Sequence, residues 1–337
     1  MGFEHPLFIG IEIMKNETHG KPKSSSTALF VLLAVILLFV IFPFFSPPLF
    51  FLSLLISIFL FVALAESWNL LGGYTGYISL GHVVFFSIGA YTTAVCMNCF
   101  GYSPFLTAVL GGVAAGGVAA IVGFPVLRLK GAYFSISSLL LAVIVQLIFL
   151  NWEFVGSSVG LWYKLMPVSI EANRLIFYEV MLALALITTL TVRYVEKSKF
   201  GAGLVTIRED EDVAKTIGIN TPMLKLKAFV LGSFFAGIVG GVYGYYLSFI
   251  HPDITFNINT SLLILLMAFF GGCTTWTGPL LGAVVLSLAN QLIVTFIGAE
   301  ISRVLYGLIL ILVIIFMPNG MIEYLKIGQR VRQSQQG

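Results

Sequence analysis

Apolar runs long enough to cross about 30 Å of hydrocarbon recur along the whole chain, separated by short polar stretches. They predict spans near 28–46, 49–66, 78–98, 104–127, 133–151, 175–194, 226–249, 261–273, 279–297 and 304–318. Two of these are short or broken. The pattern therefore predicts an all-α polytopic transmembrane helical bundle with broken helices and about ten spans, eight at the least. A polar tail over 1–27 precedes a membrane domain over 28–322, and a second polar tail follows over 323–337. The first run is too long for the apolar core of a signal peptide and lacks a small-residue cleavage site, so it reads as a retained anchor.

Two interruptions stand out. Asn69-Leu-Leu-Gly-Gly-Tyr-Thr-Gly-Tyr-Ile-Ser-Leu-Gly-His82 lies between apolar runs but holds too many glycines for an ordinary helix. Gly271-Gly-Cys-Thr-Thr-Trp-Thr-Gly-Pro-Leu-Leu-Gly282 echoes it. Both begin Gly-Gly-x-Thr, both place an aromatic five residues after the first glycine (Tyr77, Trp276), and both close with Leu-Gly. Non-helical backbone at membrane depth is tolerated where it is buried in protein or lines an aqueous cavity, and paired breaks in two halves point to a substrate route. The candidate pathway residues are Gly72, Gly73, Tyr74, Thr75, Gly76, Ser79 and His82 from the first break, with Gly271, Gly272, Thr274 and Trp276 from the second. The alternative is that the glycines only let helices approach, as expected for Gly112-Val-Ala-Ala-Gly116.

Charge is concentrated where hydropathy is lowest. Between Arg193 and Lys227 lie twelve charged residues, including Glu196 and Lys225, and this is the one large patch offered to water. Within it, Thr206 to Gly218 reads as a short helix. Thr206 and Glu209 have capping-box spacing, the acidic run fills the first turn, Glu211 and Lys215 are four apart, and Gly218 supplies a stop. A helix of about eleven residues is marginal alone in water. Its apolar stripe, Ile207, Ala214 and Ile217, needs a surface to dock on, which points to a soluble driving partner.

Composition agrees with this picture. A mean hydropathy of +1.01, 58% hydrophobic residues and 10% charged residues exclude a soluble globular domain. The net charge of +3 implies no nucleic-acid partner, but the placement of the cations matters. Arg128 and Lys130, the 197–227 segment, and Lys326, Arg330 and Arg332 satisfy the positive-inside rule when both termini are cytoplasmic. Residues 152–174 then face out, with Lys164 and Arg174 as an exception.

Polar groups inside the spans are few: Glu66, His82 and Glu179. Cys96, Cys99 and Cys273 read as buried small side chains, and with no second pair or nearby histidine no metal site is expected. No catalytic constellation and no Walker loop is present, so this chain is expected to be no enzyme and to bind no cofactor itself. Any ATP must act through another subunit.

Together, Asn69–His82, Ile207-Arg-Glu-Asp-Glu-Asp with Gly218-Ile-Asn220, Lys227-Ala-Phe-Val-Leu-Gly-Ser-Phe-Phe-Ala-Gly237, Trp276-Thr-Gly-Pro279 and Phe316-Met-Pro-Asn-Gly320 resemble the inner-membrane permeases of branched-chain amino acid ABC importers, the LivM type. The likeness covers roughly 50–320. It implies a multi-pass permease of the cytoplasmic membrane that pairs with a LivH-type permease, two ATPase subunits and an external substrate-binding protein. It also implies a coupling helix carrying Arg208, Glu209, Asp210, Glu211, Asp212, Ala214 and Gly218. Two departures bear on substrate choice: Cys273-Thr-Thr replaces a glycine- and serine-rich turn, and Gly156-Ser-Ser-Val-Gly160 lacks an acidic residue. Related permeases carry urea or short amides. A stand-alone secondary carrier is the other alternative, and it would need coupling-ion ligands within the membrane.

Overall fold

The computed structural model describes residues 37–45, 47–164, 169–273 and 275–296, with scattered positions between 301 and 321. The described residues fall into two compact units, one ending at Pro48 and the other starting at Leu49. In the first, a 3-10 turn covers Phe42–Phe45. Among the described residues, eight helices are long and apolar enough to cross a membrane. The expected spans at 28–46 and 304–318 fall largely outside the described residues.

The helices of the larger unit are α1 (Leu49–Asn69), α2 (Gly72–Thr75), α3 (Val83–Phe100), α4 (Pro104–Val126), α5 (Ala132–Asn151), α6 (Ile170–Lys197), α7 (Lys199–Glu209), α8 (Glu211–Thr216), α9 (Thr221–Leu247), α10 (Pro252–Thr255), α11 (Ile258–Gly271) and α12 (Thr277–Phe296). Two dipeptide strands, β1 (Leu161–Trp162) and β2 (Phe249–Ile250), pair antiparallel.

The core is a backbone-to-backbone seam of α3, α4 and α9. Gly89 lies against the Gly237 carbonyl, Gly237 against Ala115, and Gly240 against the Phe86 carbonyl, so a Cβ at any of them would collide. With no hydrophobic drive between helices in lipid, such close contact of small residues supplies the association energy. Gly112 joins the seam beside Ile238, whereas an added Cβ at Gly116 would meet its neighbours in ordinary van der Waals contact, none nearer than 3.6 Å. Around the seam, α1 packs on α6, α9 and α12. The outer helix α5 buries Phe134, Ser138 and Ala142, four residues apart, and turns its other faces outward. Cys96 is half-buried and Cys99 exposed, against the expectation of burial, because α3 turns that face away from the seam.

The ends of the unit differ in character. At one, β1 and β2 meet, Gln146 donates to Asp253, and Asn98 donates to the Trp162 carbonyl. At the other, the 127–131 turn and α7–α8 come together, with Lys130 bridged to Asp212. Both glycine breaks lie at this second, charged end.

Candidate functional site: the charged loop and the two breaks

The charged segment folds as two helices at a corner. Ser198 ends α6 and starts α7, its Oγ accepting the Gly201 N–H at 3.1 Å. Gly201 itself sits against the Val195 carbonyl, where a Cβ would not fit. Asp210 then breaks the helix and caps α8, its Oδ1 accepting from Asp212 N at 2.8 Å and Val213 N at 3.0 Å. The expected single helix over 206–218 with Thr206 as its cap is thus corrected. Thr206 lies inside α7 and donates back to the Ala202 carbonyl, because the amphipathic stripe of α7 runs on through buried Leu204 and Ile207. Gly218, at φ +87°, ends the short helix as anticipated.

The short helix has two faces. Ala214 is buried, while Val213 and Ile217, four residues apart, are 53% and 65% exposed. Ala214 and Ile207 therefore fasten the loop to its own bundle, and of the predicted stripe only Ile217 points out. Glu209, Asp210 and Asp212 are exposed. Glu211 turns inward. Its carboxylate accepts from Tyr77 Oη at 2.5 Å, from Lys225 Nζ at 3.0 Å and from Thr221 Oγ1 at 3.3 Å. Lys225, 3% exposed, also donates to Tyr77 Oη at 2.8 Å and to the Leu127 carbonyl at 3.2 Å. Burial pushes the Glu211 carboxyl up, but the bonds from Tyr77 and Lys225 and the Lys225 charge outweigh it and hold the group at about 2. Burial and the bond to Glu211 push the Tyr77 phenol above its usual range. A cleft of about 330 Å³ opens beside this network, lined by Phe124, Arg128, Lys130 and Lys215 as well as Glu211 and Lys225.

A second link runs from α7. Arg208 Nη1 donates to the Gly73 carbonyl at 3.3 Å, and its stem lies against Gly76, whose φ of +74° ends the single turn α2. Both links land on the first break. The rest of that break is held by side chains: Trp68 Nε1 donates to the Ser79 carbonyl, His82 Nε2 meets Ser67 Oγ at 2.9 Å, and Ser138 Oγ accepts from Leu80 N.

The two breaks touch. Asn69 Nδ2 donates to the Thr275 carbonyl at 3.3 Å, and Gly73 faces the Cys273 carbonyl so closely that a Cβ would not fit. Glu196, at the end of α6, joins them a second time. Its Oε2 accepts from Tyr74 Oη and from the Trp276 backbone N–H, each at 2.8 Å. The Arg193 guanidinium, one turn earlier, lies 5.2 Å from the Trp276 ring centre. Gly320, from the Phe316–Gly320 motif, lies against Gly272.

Of the candidate pathway residues, Gly72, Gly73, Tyr74, Thr75, Ser79, His82, Gly271 and Gly272 are buried in packing contacts. Gly76 is exposed and Trp276 half-buried, while Thr274 lies outside the described residues. Glu66 is fully buried, with neither carboxylate oxygen hydrogen-bonded. Asn69, Tyr77, Glu196 and Lys225 organise the site and were absent from the candidate residues. Lys225 carried a signal, since a cation that the first turns of an apolar span bury needs a nearby carboxylate.

Comparison with known proteins matches residues 49–314 to the family described as branched-chain amino acid transport system / permease component. The chain is 26% identical over 296 residues to the high-affinity branched-chain amino acid transport system permease protein LivM of Escherichia coli, covering 78% of this chain and 68% of that protein. It is 24% identical over 269 residues to the probable branched-chain amino acid transport permease protein LivM of Methanocaldococcus jannaschii, covering 71% and 78%. It is also 28% identical over 154 residues to LivH of E. coli, covering 46% of this chain and 48% of that one. No solved structure matches the chain.

Proposed function

Because this chain belongs to the permease-component family of branched-chain amino acid transport systems, we propose that it is the permease subunit of an ATP-driven importer of branched-chain amino acids. It sits in the cytoplasmic membrane with both termini inside. Its partners are a second, LivH-type permease, two ABC ATPase subunits that bind and hydrolyse the ATP, and an external binding protein that delivers substrate. The short helix α8 docks on an ATPase. ATPase closure displaces it, Glu211 passes the displacement to Tyr77 and Lys225, and Arg208 passes it to Gly73. The first break moves against the second, and substrate crosses between the two permeases as the paired breaks part.

The observation that carries this proposal is the two-faced α8: its inner face is bonded to the first break, and its outer face leaves Val213 and Ile217 uncovered. The test is copurification and uptake. Val213→Asp with Ile217→Asp should abolish ATPase copurification and ATP-dependent leucine uptake while leaving the amount of inserted chain unchanged. Uptake by this chain alone, driven by an ion gradient and indifferent to ATP, would replace the importer with a secondary carrier.

A further inference from the structure

We propose that Glu196 is the latch of a gate at the charged end of the bundle: its carboxylate holds the two glycine breaks together, and its withdrawal lets them part. This inference rests on the importer proposal and adds to it the residue that closes the route. Glu196 belongs to neither break, yet one of its oxygens accepts from both, through Tyr74 Oη and Trp276 N. Bonds to an ionised acceptor are about twice as strong as neutral ones. Arg193, three residues earlier on the same face of α6, grips the Trp276 ring, so the last turns of α6 hold this residue by its backbone and its side chain.

The position of Glu196 makes the clasp movable. Two residues later the chain turns the Ser198 corner into α7, and the fit of Gly201 against the Val195 carbonyl leaves that corner no slack. The end of α6 and α7 thus move as one piece, and α7 leads through Asp210 directly to α8. A pull on α8 reaches the first break through Glu211 and Arg208 and reaches the latch through α7. Among the described residues, the other side-chain-to-backbone hydrogen bond between the breaks is that of Asn69 to the Thr275 carbonyl, at the longer distance of 3.3 Å.

The assay uses the complete importer in proteoliposomes, with Cys96→Ala and Cys99→Ala in this chain, so that Cys273, within the second break, is its remaining thiol. Maleimide labelling of Cys273 is followed by mass in the nucleotide-free and ATP-bound states. The labelling rate of the parent should differ between the two states. Glu196→Ala and Tyr74→Phe should each raise the slower rate about threefold to tenfold, the size expected for one or two lost hydrogen bonds, and lower substrate uptake per ATP hydrolysed. Should Glu196→Ala fail to assemble, Tyr74→Phe decides, because it keeps the ring and removes only the donor. Equal labelling in every state and variant, or uptake per ATP unchanged in both variants, would overturn the latch. A parent complex without any ATP-dependent uptake would instead overturn the importer proposal.

Discussion

Lys225→Met removes one charge from a network buried between the loop and the bundle. In the parent, Lys225 Nζ has three acceptors: Glu211, Tyr77 Oη and the Leu127 carbonyl. Methionine keeps the stem and its packing but leaves the inward-turned Glu211 carboxylate without its nearest cation. Stripping one partner from a fully buried pair costs about 3–5 kcal/mol. Here Lys215 remains 3.3 Å from Glu211 and the site borders an open cleft, so we expect about 2–3 kcal/mol. The partner change Glu211→Gln should cost about 1–2 kcal/mol, and the double change should cost less than the sum, with a coupling energy of about 1–2 kcal/mol. The measurement is a double-mutant cycle by detergent-titration unfolding of the purified chain in mixed micelles. A loss under about 0.5 kcal/mol for Lys225→Met, or simple additivity in the cycle, would refute the view that the loop is anchored electrostatically.

Other expectations follow from the same geometry. The Glu211 carboxyl lies near 2 when folded against an ordinary value of 4.5, so its contribution is complete above about 4.5 and is lost as pH falls toward 2. Unfolding midpoints measured across that window should converge for the parent and Glu211→Gln. Asp210→Ala should loosen α8 by about 1 kcal/mol and Thr206→Ala by far less, read as faster amide exchange at Asp212 and Val213 in the first variant alone. Gly73→Val should abolish assembly through collision with Asn69 and the Cys273 carbonyl, whereas Gly116→Ala should assemble normally, as quantified by intact complex after solubilisation.

Most spans were legible because an apolar run of membrane length has one stable outcome in lipid. Their starts were less so. The span expected from 226 begins at Thr221, since Asn220 caps it and Pro222 suits a first turn, and the one expected from 261 is preceded by the short helix Pro252–Thr255. The echo of Gly-Gly-x-Thr was visible in the chain, and the structure brings its two copies into contact. What holds them was not visible. Glu196 reads as one more solvated charge near the end of a helix until residues 122 positions before it and 80 after it supply its donors. Thr206 misled because capping-box spacing also arises by chance inside an amphipathic helix, and only the Asp210 geometry distinguishes the two.

The glycine seam of α3, α4 and α9 bears on where motion can occur. Gly89 and Gly240 rest on the backbone of the neighbouring helix, so sliding or rolling these helices would drive carbonyls into one another. They form a stator. In the importer proposed above, any working stroke would be confined to parts hung on its rim, namely the end of α6, the loop helices and the two breaks. A label pair placed within the seam should therefore keep one distance through the whole ATP cycle and serve as the fixed reference against which the moving parts are measured.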